Sequence, residues 1–169
     1  MKKYIKTIAG LIFFVLLDQV VKLWVLARLK GQEPIVLIKN VLEFQYVENR
    51  GAAFGLLQNR QWFFLVISFV VLIGLAYLAK KIPQESRYFW LRFCMFFVAA
   101  GAIGNMIDRA LRQYVVDFIY FKLINFPVFN VADIYVTCSA FLLIYLVIFY
   151  YKEEEIDRIF SKEKKEEKE

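Results

Sequence analysis

Asp117 and Asp133 are the residues of this chain best suited to do chemistry. They lie 16 positions apart, and each sits among apolar side chains, in the segments 115–118 and 129–133. A carboxylate beside lipid is costly, so it marks a functional candidate. Two carboxyl groups that share a site resist double ionisation, and one keeps its proton while the other acts as a base. Such a pair can activate a water against an amide and protonate the departing nitrogen.

The residue types that are missing narrow the chemistry further. The 169 residues include no histidine, which excludes zinc motifs of the H-E-x-x-H kind and nucleophiles activated by histidine. No serine lies in a G-x-S-x-G elbow, no phosphate-binding loop is present, and the two cysteines have no metal-binding spacing. An enzyme built from this chain would rely on carboxylates, and the sequence predicts neither a metal nor a cofactor.

The elements that must position these aspartates are four long apolar stretches. The chain is 60% hydrophobic, with a mean hydropathy of +0.51. The stretches cover about 5–26, 62–79, 88–107 and 131–151, and each is close to the roughly 20 residues that a helix needs to cross a bilayer. Backbone polar groups in lipid are satisfied only within helices or closed barrels. The sequence therefore predicts an all-α membrane protein with four transmembrane helices.

The net charge of +6 belongs to the flanks of these stretches and not to a nucleic-acid-binding stripe. The positive-inside bias predicts that both termini and the loop between the second and third spans are cytoplasmic. The connections 27–61 and 108–130 then face the other side, although they also carry basic residues. The first stretch is too long for the apolar core of a cleaved signal peptide, and it contains Asp18 and Lys22, so it is interpreted as a retained helix. The flanking basic residues are Lys2, Lys3, Lys6, Lys80, Lys81, Arg87, Lys152, Arg158, Lys162, Lys164, Lys165 and Lys168.

The domain organisation follows from the same pattern. Residues 1–151 are predicted to form one four-helix domain, and 152–169 a charged cytoplasmic tail that begins as a helix. The first outer connection contains a β-like segment, 33–48, in which two apolar runs are joined by Lys39 and Asn40. Asparagine tolerates a left-handed backbone, which suits a hairpin turn. Such a ribbon could rest on the membrane surface.

The polar residues of the spans are predicted to meet at one depth. At about 1.5 Å per residue, Asp18 lies in the outer half of the bilayer core. The third span ends, and the fourth begins, at the same outer level. The residues of this layer are Asp18 and Lys22, then Asn105, Asp108 and Arg109 at i, i+3 and i+4, and finally Asn130 and Asp133.

Each group has a simpler explanation that the residues alone leave open. Arg109 could pair locally with Asp108 at an interfacial helix end. Asn130 and Asp133 could serve only as a helix cap. Asp18 and Lys22 could be a buried ion pair that fixes helix packing, or they could support the site from beneath.

Two other functions compete with hydrolysis. A transporter or channel subunit would use the polar layer as an ion pathway, but it would need polar residues through the full depth of the membrane. A structural assembly factor would use the layer for helix packing, and it would be destabilised by conservative Asp→Asn changes.

Four motifs in order resemble lipoprotein signal peptidase (signal peptidase II), a family of bacterial membrane aspartyl proteases. They are LDQVVK at 17–22, NRGAAFG at 49–55, GAIGNMIDR at 101–109 followed by VVDF at 115–118, and FNVAD at 129–133. The resemblance covers nearly the whole chain. It implies a catalytic pair of Asp117 and Asp133, and it places five further residues at the substrate: Asn49, Gly51, Asn105, Arg109 and Asn130. Asp18, Lys22 and Asp108 are expected to support the site.

The resemblance also implies the substrate and the surroundings. The substrate would be a prolipoprotein whose cysteine carries a diacylglyceryl group, cleaved just before that cysteine. The family fold adds a periplasmic β-cradle and a short extramembrane helix, matched in order by the hairpin segment and by 51–60. The expected protein is a monomer in the bacterial cytoplasmic (inner) membrane. It contacts membrane lipid and no nucleic acid, and its active site faces the periplasmic or external side.

Overall fold

The computed structural model describes residues 2–52 and 56–160 of the chain. The expected motif residues 53–55 and the tail residues 161–169 lie outside this part. Most of the described residues belong to five helices, α1 to α5, and three strands, β1 to β3. In chain order they are α1 (Lys2–Leu29), β1 (Ile35–Ile38), β2 (Leu42–Asn49), α2 (Gln61–Lys81), α3 (Phe89–Arg112), β3 (Val115–Phe121), α4 (Val131–Tyr145) and α5 (Glu153–Phe160).

The four predicted spans are present as helices long and apolar enough to cross a membrane. They cover Ile5–Leu29, Gln61–Lys81, Ser86–Arg112 and Val131–Tyr150, the last two including a short 3₁₀ turn and a π-helical turn. Helix α3 is central, because α1, α2 and α4 all pack against it. The most apolar window of α2 has no buried residue, so this helix is suited to face lipid over most of its length.

Small residues let α3 approach α1 and α4 at the level of the polar layer. A side-chain carbon at Gly101 would collide with the backbone oxygen of Ala132. A side-chain carbon at Gly104 would lie 2.6 Å from Oδ2 of Asp18. Small residues at helix contacts are typical of membrane bundles, and here they bring the start of α4 and the middle of α1 onto one face of α3.

A three-stranded antiparallel sheet lies at the end of the bundle where α1 and α3 end. Its order is β1-β2-β3, and Asn40 forms the expected turn between the first two strands at φ 61°. The sequence pattern predicts only the first two strands, and the third, β3, contains Asp117. Val116 and Phe118 of β3 pack on Val25 and Leu29 of α1, which anchors the sheet to the bundle.

The sequence expectations for the outer loop and the tail have different outcomes. Within 51–60, residues 51–52 form a bend and 56–59 a turn, and these described residues contain no helix. The beginning of the tail is helical, as expected, because α5 covers Glu153–Phe160. Ile159 of α5 packs into an apolar cluster at the opposite end of the bundle from the sheet.

Ion pairs fasten α5 to the segment that joins α2 to α3. Arg87 contacts Glu155 at 2.7 Å, and Arg158 contacts Glu85 at 2.7 Å. Tyr88 stacks on Tyr151 with ring centroids 5.6 Å apart. This end of the bundle is therefore closed by partly exposed charges around a small aromatic core.

Candidate active site

The two aspartates are held by different kinds of element. Asp117 lies in β3, opposite Val47 of β2 in the strand register, and it is only 1% exposed. Asp133 is the third residue of α4, where its carboxylate accepts a hydrogen bond from the backbone N–H of Asn130 at 3.2 Å. Asn130 returns the bond through its side-chain oxygen, which accepts from the backbone N–H of Asp133 at 3.1 Å. This capping box fixes the direction of Asp133.

Asn130 connects the two carboxylates. Its side-chain nitrogen donates to Oδ1 of Asp117 at 2.6 Å, while its backbone nitrogen donates to Oδ2 of Asp133. Asn130 is fully buried. One residue thus contacts both aspartates, and the structure brings together two acidic groups that are distant in sequence.

Asn105 and Lys22 hold the other side of Asp133. Asn105 donates to Oδ1 of Asp133 at 2.7 Å, and its own side-chain oxygen accepts from Lys22 at 2.9 Å. An ammonium group can only donate, so the oxygen of Asn105 must face Lys22 and its nitrogen must face Asp133. Lys22 and the side-chain nitrogen of Asn130, which donates to the same oxygen at 3.2 Å, therefore set the orientation of the amide that donates to Asp133.

A buried charge cluster lies beneath this amide. Lys22 is 3.0 Å from Oδ2 of Asp18 and 3.0 Å from Oδ2 of Asp108, and all three side chains are 0% exposed. Arg112 pairs with Asp108 at 2.5 Å and supplies the second positive charge. The two carboxylates and two cations balance in charge, and Arg112, whose side chain is 19% exposed, connects the otherwise buried cluster to the surface.

The same two carboxylates reach the backbone just before each aspartate of the pair. Asp18 accepts from the backbone N–H of Ala132 at 3.0 Å, and Asp108 accepts from that of Val116 at 3.2 Å. The residues expected to support the site thus fix the peptides that precede Asp133 and Asp117. The ion-pair explanation and the supporting explanation are both satisfied by this geometry.

Asn49 and Gly51 border Asp117 from the end of β2. Asn49 donates to Oδ2 of Asp117 at 2.8 Å, and its side-chain oxygen accepts from the N–H of Gly51 at 3.0 Å. A side-chain carbon at Gly51 would collide with the backbone oxygen of Leu56. The position therefore requires glycine for close backbone approach.

Arg109 faces the site without joining it through an ion pair in the described part of the chain. Its guanidinium lies 4.7 Å from the ring centroid of Phe64 and donates weakly to the carbonyl of Gly51 at 3.4 Å. Its Nε is buried and has no hydrogen-bond partner among the residues that the structure describes. The local pair with Asp108 is not formed, since Asp108 bonds Arg112 and Lys22 instead.

Burial raises the pKa of Asp117 to about 7, and the nearby charge of Asp133 adds to this effect. The hydrogen bonds from Asn130 and Asn49 act in the opposite direction, because they favour the ionised form. Asp117 therefore still holds a proton part of the time near neutral pH. This is the range in which a carboxyl group can both donate and accept a proton.

An open cleft of about 410 Å³ gives access to Asp117. Its walls come from β2, β3 and the segment before α4, and they include Gln45, Asn49, Tyr120, Asn125 and Pro127. The twelve lining residues are mixed: five are polar but uncharged, five are apolar, and Glu48 and Asp117 carry carboxyl groups. The cleft can therefore accommodate an extended polypeptide beside the carboxylate.

Sequence reasoning missed three residues of this region. Gln19 donates to Asp18 at 3.1 Å and to the carbonyl of Gly104 at 3.1 Å. Arg112 could have been identified from its i, i+4 spacing to Asp108. Gln61 gave no signal, because its contact is to a backbone carbonyl that is close only in the folded chain.

Comparison with known proteins places the chain in a family. The family model described as Signal peptidase (SPase) II matches residues 10–149. The lipoprotein signal peptidase of Caldanaerobacter subterraneus subsp. tengcongensis is 47% identical over 138 residues, covering 81% of this chain and 92% of its own. That of Clostridium tetani is 43% identical over 155 residues, covering 87% and 94%.

A solved structure has the same fold. It is described as a bacterial membrane enzyme, and it superposes with a TM-score of 0.76 at 32% identity, covering 88% of this chain and 92% of its own. Together with the family match and the four apolar helices, this defines the class: a multi-pass membrane protein and an aspartic endopeptidase. The chain belongs to the signal peptidase II family.

Proposed function

We propose that this protein removes signal peptides from diacylglyceryl-modified prolipoproteins, by cleaving just before the lipidated cysteine. Asp117 and Asp133 are the catalytic pair. The observation that carries the proposal is the double contact of Asn130, whose side chain donates to Asp117 and whose backbone donates to Asp133. Two acids held by one residue are placed to act on a common water.

The reaction needs one proton shared by the pair. The ionised carboxylate takes a proton from water as the water oxygen attacks the peptide carbonyl carbon. The protonated carboxyl then donates to the nitrogen as the C–N bond breaks, so the pair ends with the proton it gained from water. The raised pKa of Asp117 supports this sharing, because a neutral carboxyl persists close to pH 7.

The remaining residues of the site have supporting roles in the proposal. Asn105 and Asn130 orient the carboxylates, and Asn49 and Gly51 border the peptide from the sheet. Arg109 has a buried N–H donor and a positive charge. Both suit the negative charge that develops on the substrate carbonyl oxygen. Asp18, Lys22 and Asp108 hold the peptides that precede the pair.

The membrane setting follows from the charge pattern. We place both termini in the cytoplasm, with residues 1–151 as the peptidase domain and 152–169 as a cytoplasmic tail. The site then faces the periplasmic or external side of the bacterial inner membrane, and the three-stranded sheet is the β-cradle. The four apolar residues of β1 are all exposed, which suits contact with lipid headgroups and acyl chains. A monomer suffices, because one chain supplies both acids.

The proposal is tested with purified protein and a diacylated precursor peptide in detergent or lipid. Cleavage before the modified cysteine is expected, with an unmodified peptide cleaved far more slowly and with no effect of a chelator. Asp117→Asn and Asp133→Asn proteins should bind the precursor without cleaving it. Normal processing by either variant, or inhibition by the chelator, would refute the metal-free pair.

A further inference from the structure

Gln61, the first residue of α2, lies outside the set of residues that the motifs identify, yet it is only 6% exposed. Its side-chain nitrogen donates to the backbone carbonyl of Arg50 at 2.7 Å. A carbonyl can only accept, so the nitrogen of the amide must face Arg50 and its oxygen must point away. That oxygen is buried and has no hydrogen-bond partner among residues 2–52 and 56–160.

Packing does not explain a glutamine at this position. A buried carbonyl oxygen without a donor is unfavourable, and an apolar side chain of similar size would fill the same space without that cost. The helix around it is apolar and suited to lipid contact. The part of Gln61 that makes a bond is its N–H donor, and the bond goes to the Arg50 peptide.

The Arg50 peptide lies inside the turn that orients Asn49. The side-chain oxygen of Asn49 accepts from the N–H of Gly51, so the turn spans Arg50, and the side-chain nitrogen of Asn49 donates to Asp117. The Arg50 carbonyl also accepts from the backbone N–H of Asn59 at 2.8 Å. Rotation of this peptide would carry the amide of Asn49 with it.

The first turn of α2 contacts the site a second time through Phe64. Its ring lies 4.7 Å from the guanidinium of Arg109, which in turn donates to the carbonyl of Gly51. Gln61 and Phe64 are three residues apart and share one helical face. The first turn of α2 therefore reaches two consecutive peptide units. Gln61 bonds the Arg50 carbonyl directly, and Phe64 reaches the Gly51 carbonyl through Arg109.

We infer that Gln61 is a positioning residue for peptide hydrolysis, which fixes the Arg50 peptide so that Asn49 donates to Asp117. The inference rests on the proposed function, since Asp117 must be part of the reacting pair. Gln61 itself touches neither water nor substrate. Its removal leaves the pair in place but loosens the donor that favours the ionised form of Asp117.

The test compares Gln61→Leu, Gln61→Met and wild type for cleavage of the diacylated precursor between pH 5 and 9. Both variants lose the N–H donor without adding a charge near Asp117, and methionine keeps the unbranched shape of glutamine. We expect kcat/KM to fall roughly three- to tenfold in each. We also expect the alkaline limb of the profile to move up by roughly 0.5–1 pH unit, because a weakened hydrogen bond lets Asp117 keep its proton longer.

The matched control is Gln32→Leu, the same change at an exposed position beyond α1, and it should leave rate and profile unchanged. A lower rate with an unmoved alkaline limb would overturn the inference, because a merely structural residue would reduce only the active fraction and the melting temperature. An unchanged rate would overturn it too. If wild type fails to cleave the precursor, the proposed function fails instead, and the two failures are distinct. Should the leucine variant not fold, the methionine variant carries the same comparison.

Discussion

The two ends of the bundle use the same kinds of charged side chain in opposite ways. At the sheet end, Lys22 bridges Asp18 and Asp108, and all three are 0% exposed. At the other end, the side chains of Arg158 and Glu85 are 57% and 51% exposed. Water can replace a lost partner at the exposed end but not at the buried one. The buried end therefore specifies one geometry, while the exposed end only fastens a helix.

This contrast is tested most strongly by neutralising the proposed catalytic pair. Asp117→Asn and Asp133→Asn should each lower cleavage of the diacylated precursor by about 10²–10⁴-fold, because a general acid or base is lost. Both proteins should remain folded, as measured by melting temperature in detergent. Asp157→Asn, an exposed change on α5, is the control and should retain full activity. Loss of folding in both site variants would favour a purely structural role for the layer.

The second largest effect is expected from Lys22→Met. This change leaves two buried carboxylates beside a single remaining cation, and we expect a loss of roughly 3–5 kcal/mol in the free energy of unfolding. The side-chain oxygen of Asn105 would also lose its shorter hydrogen bond and keep only the one from Asn130 at 3.2 Å, so cleavage should fall. Denaturant unfolding in detergent measures the first effect. Arg158→Met at the exposed end should cost about 0–1 kcal/mol, and equal losses at both ends would contradict the comparison.

The next largest effect is a pH dependence of stability and of cleavage, which arises from Asp117 at the sheet end. The folded pKa of Asp117 is about 7 against 3.8 for an ordinary aspartate, so the native state keeps a proton that the unfolded chain has released. Its contribution to stability therefore falls as pH rises from about 4 to about 7, and Asp117→Asn should remove this dependence. Cleavage should also fall as pH rises above about 7. Melting temperatures and rates measured from pH 5 to 9 check both, and flat profiles would be inconsistent with a raised pKa.

The smallest effect concerns Glu155. The hydrogen bond from Arg87 holds the pKa of Glu155 at about 2, below its ordinary 4.5. A lowered pKa stabilises the fold above the ordinary value, and this contribution is lost as pH falls from about 4.5 to about 2. We expect the protection factors of the α5 amides, which correct each exchange rate for its intrinsic pH dependence, to fall in that window. The protection factors of Glu155→Gln should be the same at pH 5 and pH 3. If the mutation does not change the protection of the α5 amides, the apolar face of α5 alone holds this helix in place.

Much of this arrangement could be predicted from local pattern. The four spans, the hairpin at 35–47 and the polar layer follow from hydrophobic runs, turn residues and helical rise. The identities of Asp117 and Asp133 came from their cost in an apolar setting and from the order of the motifs. These signals depend on residues that are close together in sequence, so they can be recognised without the structure.

The parts that were missed depend on register between distant segments. Residues 115–121 are rich in valine and aromatic residues, and this composition could have predicted a strand. The pairing of Val47 with Asp117 could not be predicted, since it depends on a bulge in β2 and on packing against α1. The bonds from Asp18 to Ala132 and from Gln61 to Arg50 likewise join segments that are adjacent only after folding.

The capping box at the start of α4 limits which residues position 133 can accept during evolution. The carboxylate of Asp133 both closes the first turn of a membrane helix and, in the proposed reaction, handles a proton. A substitution that preserves only one of these two roles would lose either the helix cap or the proposed activity. We therefore expect the proposed reaction and the helix start together to confine position 133 to aspartate, because both depend on the same pair of carboxylate oxygens.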